Sequence, residues 1–283
     1  MTCQPEQAGD GRCMADRHTR TSSPAATRHA DRARSRPLAA AAALLTSLLA
    51  APLAHAGPSD YVATPTVETG EFEVDFKAGS ARLGDGNRAT AQSLGLGYGV
   101  NSFWFTEFYA KWHGASDGSI AGGHSFDAFE WENRFQLTET GKYPVDLGFL
   151  LEIERPRDHD EGLEVVWGPL LQAEFGRVLG NLNLLVEKNY RAATAAPASL
   201  TYQWQLRAPV AERIELGVQG FGNLGRWDKW APHAEQEHSL GPAMFGKLNL
   251  GAHQAINYNA GWLVGLTDAS ARHTVRLQVE WEM

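Results

Sequence analysis

Cysteine is almost missing. The 283-residue chain has two, Cys3 and Cys13, and none beyond them. An exported chain without cysteine has no disulfide framework, and no cysteine follows the apolar run described below, so a lipoprotein anchor is not indicated. Basic residues are also scarce, Lys+Arg 25 against Asp+Glu 33. Phosphate recognition needs a basic surface, so no nucleic-acid partner is expected. No helical period persists beyond a turn or two, and no apolar run reaches the ~20 residues of a membrane-spanning helix. Past residue 56 there are two methionines and no Met- or His-rich tract of the kind a metal-resistance protein carries. His113, His124, His159, His233, His238, His253 and His273 sit in or beside expected loops, outside any Ser–His or carboxylate constellation. The expectation is therefore no catalytic residue, no metal and no cofactor.

The N-terminal stretch is set apart from fold reasoning. Arg32, Arg34 and Arg36 precede an apolar run from Leu38 to Leu53, which ends at Ala54-His55-Ala56. An A-x-A ending after such a run reads as a secretory signal cleaved after Ala56. The long segment before the run points to a translation start downstream of Met1. A single spanning helix is the weaker reading, because the run is Ala-rich, broken by Pro52 and short. Residues 57–283 then carry 18 basic and 29 acidic residues. The export signal points to a diderm bacterium, and the chain divides into a leader (1–56), a lead-in (57–69) and one domain (70–283).

What is abundant in that domain is strict alternation. Phe72, Val74 and Phe76 oppose Glu73, Asp75 and Lys77. Leu94, Leu96 and Tyr98 oppose glycines. Phe129, Trp131, Phe135 and Leu137 oppose Glu130, Glu132, Arg134 and Gln136. About twelve such period-2 segments recur, separated by Gly, Asn, Asp and Pro, which predicts about twelve antiparallel strands. Connections alternate as well: 101–102, 178–181, 209–213 and 251–255 are short, whereas 79–90, 113–125, 155–162, 191–198 and 225–237 are longer and polar. Pro169 and Pro242 each remove a ladder donor, and local bulges are expected there.

Alternation fits a soluble sandwich with apolar faces inward, or a transmembrane barrel with apolar faces toward lipid. The asymmetry of the connections favours the barrel. So do the aromatics on the apolar face, Trp104, Trp112, Trp131, Trp167, Trp204, Trp262 and Trp281, which suit interfacial girdles. The last segment alternates to its final residue, with Val275, Leu277, Val279, Trp281 and Met283 on one face. A barrel must pair its last strand with its first, because lipid cannot satisfy an open edge. The expected fold is an all-β, transmembrane, antiparallel up-and-down β-barrel of the cell outer membrane.

That final row resembles the C-terminal signal strand read by the outer-membrane barrel assembly machinery, with Met where Phe or Trp is usual. "GPAMFGKLNLG" followed by "YNAGWLVGLTDASARHTVRLQVEWEM" resembles the ending of outer-membrane proteins of the phenol-degradation MetA-pathway family. That resemblance implies a channel-like or transporter-like barrel and carries no catalytic motif.

If the polar faces point inward, they supply the candidate lumen lining: Glu107, Lys111, Glu130, Glu132, Arg134, Glu152, Glu154, Glu174, Glu187, Arg207, Glu215, Lys247, Arg276 and Glu280. These charges either cross-pair and fill the barrel or line a narrow pore with an acidic bias. The expected role is passage of a small solute through a narrow channel; the alternatives are a closed structural or surface-binding barrel and, less favoured, a lipid hydrolase. Asp158, His159, Asp160 and Glu161 form a charged loop read as solvated rather than metal-binding. Trp227 and Trp230 are expected to fold into the mouth and rest on lipid headgroups.

Overall fold

The computed structural model describes residues 57–116, 124–251 and 254–283. The leader, including Ala54 and Ala56, lies outside the described residues. Thirteen strands follow in order: β1 (Phe72–Arg82), β2 (Arg88–Asn101), β3 (Trp104–Ser116), β4 (Ser125–Gln136), β5 (Asp146–Pro156), β6 (Leu163–Phe175), β7 (Val178–Tyr190), β8 (Ser199–Ala211), β9 (Ile214–Arg226), β10 (Lys229–Trp230), β11 (Glu237–Gly251), β12 (Gln254–Gly265) and β13 (His273–Glu282). Twelve form one closed antiparallel barrel in which each strand pairs with the next, β9 with β11 across the loop that holds β10. The two-residue β10 folds back on the end of β9 through Lys229↔Arg226 and Trp230↔Gly225.

β13 pairs with β1 from Glu73↔Glu282 to Arg82↔His273. Beyond the last ladder pair, Phe72 and Met283 exchange two backbone hydrogen bonds of 2.9 Å. The terminal residue is thus bonded into the seam.

Burial decides between the two architectures. Leu96, Phe108, Phe129 and Val275 are 53%, 59%, 63% and 59% exposed, whereas Asp75 and Glu107 are 1% exposed and Asn183 and Gln219 are 0%. Apolar residues face outward and polar ones inward, the inverse of a soluble sandwich and the arrangement of a transmembrane barrel. The seven tryptophans lie on the outer face. Trp104 stacks on Phe135 (6.4 Å between centroids) and Trp131 on Phe108 (5.8 Å).

One end carries short turns at 102–103, 176–177 and 212–213, the other the longer loops. At the 176–177 turn Gly176 has φ +67°, a conformation that the tight reversal needs and a side chain disfavours. The nine-residue connection 137–145 breaks this pattern. It is braced by its own side chains: Asp146 accepts from the Gly141 amide (2.8 Å) and Thr138 from the Leu147 amide (2.8 Å).

The expected bulges at the two Gly-Pro steps are not there. Toward β7 the β6 ladder passes from Trp167↔Val186 to Leu170↔Asn183 with its register unchanged, and β11 passes likewise from Leu240↔Val264 to Ala243↔Gly261 toward β12. Proline removes a donor without inserting a residue. The preceding glycine lets the strands close over the gap: a Cβ on Gly168 would lie 2.0 Å from the Leu184 carbonyl oxygen, and one on Gly241 1.9 Å from that of Trp262.

The lead-in is part of the barrel interior. Tyr61 and Val62 are buried, and Val62 packs with Phe221 of β9 and Leu263 of β12. Ala63 packs on Leu150, Leu170 and Leu185 of β5, β6 and β7, and its carbonyl accepts from Asn183 Nδ2 (3.1 Å). Pro65 lies against Gly148, and the Val67 amide donates to Gln136 Oε1 (2.8 Å) near the short-turn end. Residues 57–69 therefore run along the lumen as a strap before the chain turns into β1.

Candidate functional site

The interior has two unlike walls with the strap between them. The first is charged and is built mainly from β1, β3, β4 and β5. Because inward residues on one strand are two apart, Glu130, Glu132 and Arg134 stack along the barrel axis ~7 Å apart. Lys111 of β3 lies between two acids, donating to Glu130 Oε2 (2.8 Å) and Glu154 Oε2 (2.5 Å). Arg134 approaches Glu132 (3.2 Å) and Glu73 (3.8 Å) and lies over the Phe105 ring, 4.2 Å from its centroid. On β1, Lys77 contacts Asp75 (3.2 Å) and donates to the Tyr109 hydroxyl (2.6 Å), which donates to Asp75 Oδ2 (2.9 Å).

Gly95 and Gly97 of β2 make room for this wall. A Cβ on Gly95 would fall 2.4 Å from both Glu107 Oε1 and Tyr109 Cε1, and one on Gly97 2.4 Å from the Phe105 ring. The glycine alternation of β2 thus admits large inward side chains of β3 that lean across it.

The second wall is neutral. Gln172, Asn181, Gln205 and Gln219 occupy paired inward positions on β6, β7, β8 and β9. Asn181 Nδ2 donates to Gln172 Oε1 (2.9 Å), Gln205 Nε2 to Asn181 Oδ1 (3.0 Å) and Gln219 Nε2 to Gln205 Oε1 (3.0 Å). The chain links all four buried amides and, among the described residues, leaves Gln219 Oε1 without a partner at its end.

A cavity of about 990 Å³ remains between walls and strap. Glu107, Lys111, Glu130, Glu132, Arg134, Glu152, Glu154, Glu187, Arg207, Glu215, Lys247 and Glu280 line it. Two residues expected there stand elsewhere. Glu174 is exposed at the short-turn end of β6, past the inward part of the strand. Arg276 points inward, but its guanidinium is sandwiched between Tyr61 of the strap and Phe221, 4.1 Å from each ring centroid. Glu73, Lys77, Tyr109 and Glu164 also line the cavity, with Asp75 buried beside them, and the alternation of β1 places Glu73, Asp75 and Lys77 on the polar face.

The charged loop after β5 is a capped turn. Asp158 Oδ1 accepts from the Asp160 amide (2.9 Å) at the start of a short 3-10 turn, His159–Glu161. Burial, with Asp127 and Asp158 nearby, pushes the Glu161 carboxyl above its usual range. Trp227 and Trp230 are each 60% exposed and line no part of the cavity, so they do not fold into the mouth. At the loop end His238 bonds the Tyr202 hydroxyl (2.7 Å) and Gln236 Oε1 (2.9 Å) through its ring. Ser270 Oγ meets the backbone of His238 rather than its ring, so this pair has no nucleophile–base geometry.

No family model matches the sequence, and no curated protein matches it. Solved structures do. The COG4313 outer membrane channel from Pseudomonas putida F1 superposes with a TM-score of 0.52 at 13% identity, over 79% of this chain and 97% of that one. The NanC porin gives a TM-score of 0.49 at 7% identity, over 75% and 100% of the two chains. The translocator domain of the autotransporter NalP from Neisseria meningitidis gives 0.46 at 14% identity, over 76% and 89%. At such identities the likeness is one of fold, and the chain shares with the Pseudomonas protein a barrel covering nearly all of that chain.

Proposed function

We propose that the protein is a narrow passive channel of the outer membrane for small solutes, with an acid-biased wall and a lumen constricted by its own residues 57–69. The carrying observation is the cavity of about 990 Å³ inside a closed barrel whose outer face is apolar. The Pseudomonas barrel of similar fold is an outer membrane channel, and the same use is proposed here. On the cavity wall Glu107, Glu130, Glu132, Glu152, Glu154, Glu187 and Glu280 outnumber the nearby cations Lys77, Lys111 and Arg134. A thin water column in low-dielectric surroundings strengthens the field of such a wall, so cations pass more readily than anions.

Export by removal of 1–56 after Ala56, lipid as surroundings and insertion by the barrel assembly machinery belong to the same proposal. So does membership of the MetA-pathway family, which rests on the C-terminal motif. The alternative, a closed barrel without conductance, is favoured by the close ion pairing of the wall.

The test is the reversal potential of the purified protein in a planar bilayer across a salt gradient. The channel reading expects a small, cation-preferring conductance, reduced in preference by Glu130→Gln with Glu132→Gln. Bilayer insertion without conductance, and no solute uptake in liposome swelling, establishes the closed barrel instead.

A further inference from the structure

Three carboxylates meet on the lumen wall where β13 closes on β1. Asp75 pairs across the seam with Glu280, and Glu73 precedes Asp75 by two residues, so all three share the inward face. One ligand oxygen from each lies within 4.8 Å of the other two. Gln278 Nε2 holds two of them together, donating to Asp75 Oδ2 (3.2 Å) and Glu280 Oε1 (2.7 Å). A fourth acid leans toward the group. Glu107 reaches across the bare backbone of Gly95, the residue paired with Asp75.

Two oxygens here have no partner, Asp75 Oδ1 and Glu107 Oε1, and both belong to residues 1% exposed. A buried carboxylate oxygen without a donor is costly. The neighbouring cations do not balance the acids: Glu73, Asp75, Glu107, Glu132 and Glu280 face Lys77 and Arg134. Lys77 is engaged by Asp75 Oδ2 and Tyr109, and Arg134 by Glu132 and Glu73. The donor set is all oxygen, with no His or Cys, which suits a hard cation rather than zinc.

We propose that Glu73, Asp75 and Glu280 hold a divalent cation of the calcium class at the β13–β1 seam. The ion takes the free Asp75 oxygen, offsets two of the excess negative charges and ties the closing strand to the first. This site does not depend on whether the barrel conducts.

Terbium(III), an oxygen-seeking stand-in for calcium, is the probe. The full barrel in detergent, first treated with a chelator, is titrated with terbium and excited through its aromatic rings; the Tyr109 hydroxyl lies 2.9 Å from Asp75 Oδ2. Saturable luminescence that calcium displaces is expected. Asp75→Asn and Glu280→Gln should each weaken binding by about tenfold or more, as loss of a charged ligand does. Asp158→Asn with Asp160→Asn, in the acidic loop, should leave it unchanged. Heat-modifiable gel mobility shows whether each variant is folded, and if one is not, the other decides. Calcium should also raise the unfolding temperature of the wild type and not of the folded variant. No luminescence, luminescence that survives both seam variants, or luminescence that disappears with the loop variant overturns the proposal.

Discussion

The neutral amides of the second wall behave differently from the charges opposite them. Gln205 both donates to Asn181 and accepts from Gln219. Gln205→Leu therefore strands an acceptor and a donor in a buried site, and about 1–3 kcal/mol of stability should be lost. The temperature at which the heat-modifiable band disappears measures it; an unchanged temperature contradicts the role given to the chain of amides. Gly95→Ala tests the packing of the charged wall. Its Cβ would meet Glu107 and Tyr109 at 2.4 Å, so Tyr109 must leave Asp75, at a cost of ~1–3 kcal/mol by the same assay. At this scale the charged lining was legible, because alternation assigns each charge to one face. The strap was not. Its signal lies in Leu150, Leu170, Leu185, Phe221 and Leu263, apolar residues on the inward face. An apolar residue facing a lumen needs something to cover it, and in this barrel Val62 and Ala63 do so.

Strands carry the clearest correspondence between sequence and structure. A period of two over a dozen segments fixes which face meets lipid, since a one-residue slip would invert every side chain. The connection 137–145 was less legible, being longer than its neighbours at the same end. β13 is the element whose loss should matter most for assembly. Trp281→Ala with Met283 removed takes away an outer-face ring and the two hydrogen bonds to Phe72; membrane fractionation should find less folded barrel, and normal levels would contradict the account of the seam. The loop 157–162 makes a pH prediction. Because the Glu161 carboxyl is raised in the folded loop, the unfolded loop gives up its proton first as pH rises. The group's stabilising contribution is complete below the ordinary carboxylate range and is lost as pH climbs through the raised value. Protease cleavage of this loop should therefore increase over that window in the wild type, and Glu161→Gln should flatten the profile.

For the molecule as a whole, closure and inversion together define its physics. Closure leaves no unpaired edge for lipid to meet, and inversion places the acids around a cavity instead of in water. Residues 57–69 run through the space that twelve strands enclose and line the cavity together with the wall, so the passage should depend on the strap as well as on the wall. The most direct measurement is single-channel conductance in planar bilayers, comparing the wild type with a chain lacking residues 58–66, both shown to be folded by heat-modifiable mobility. The account predicts a small, cation-preferring conductance for the wild type and a several-fold larger one without the strap. Equal conductance in the two, or none in either, would contradict it.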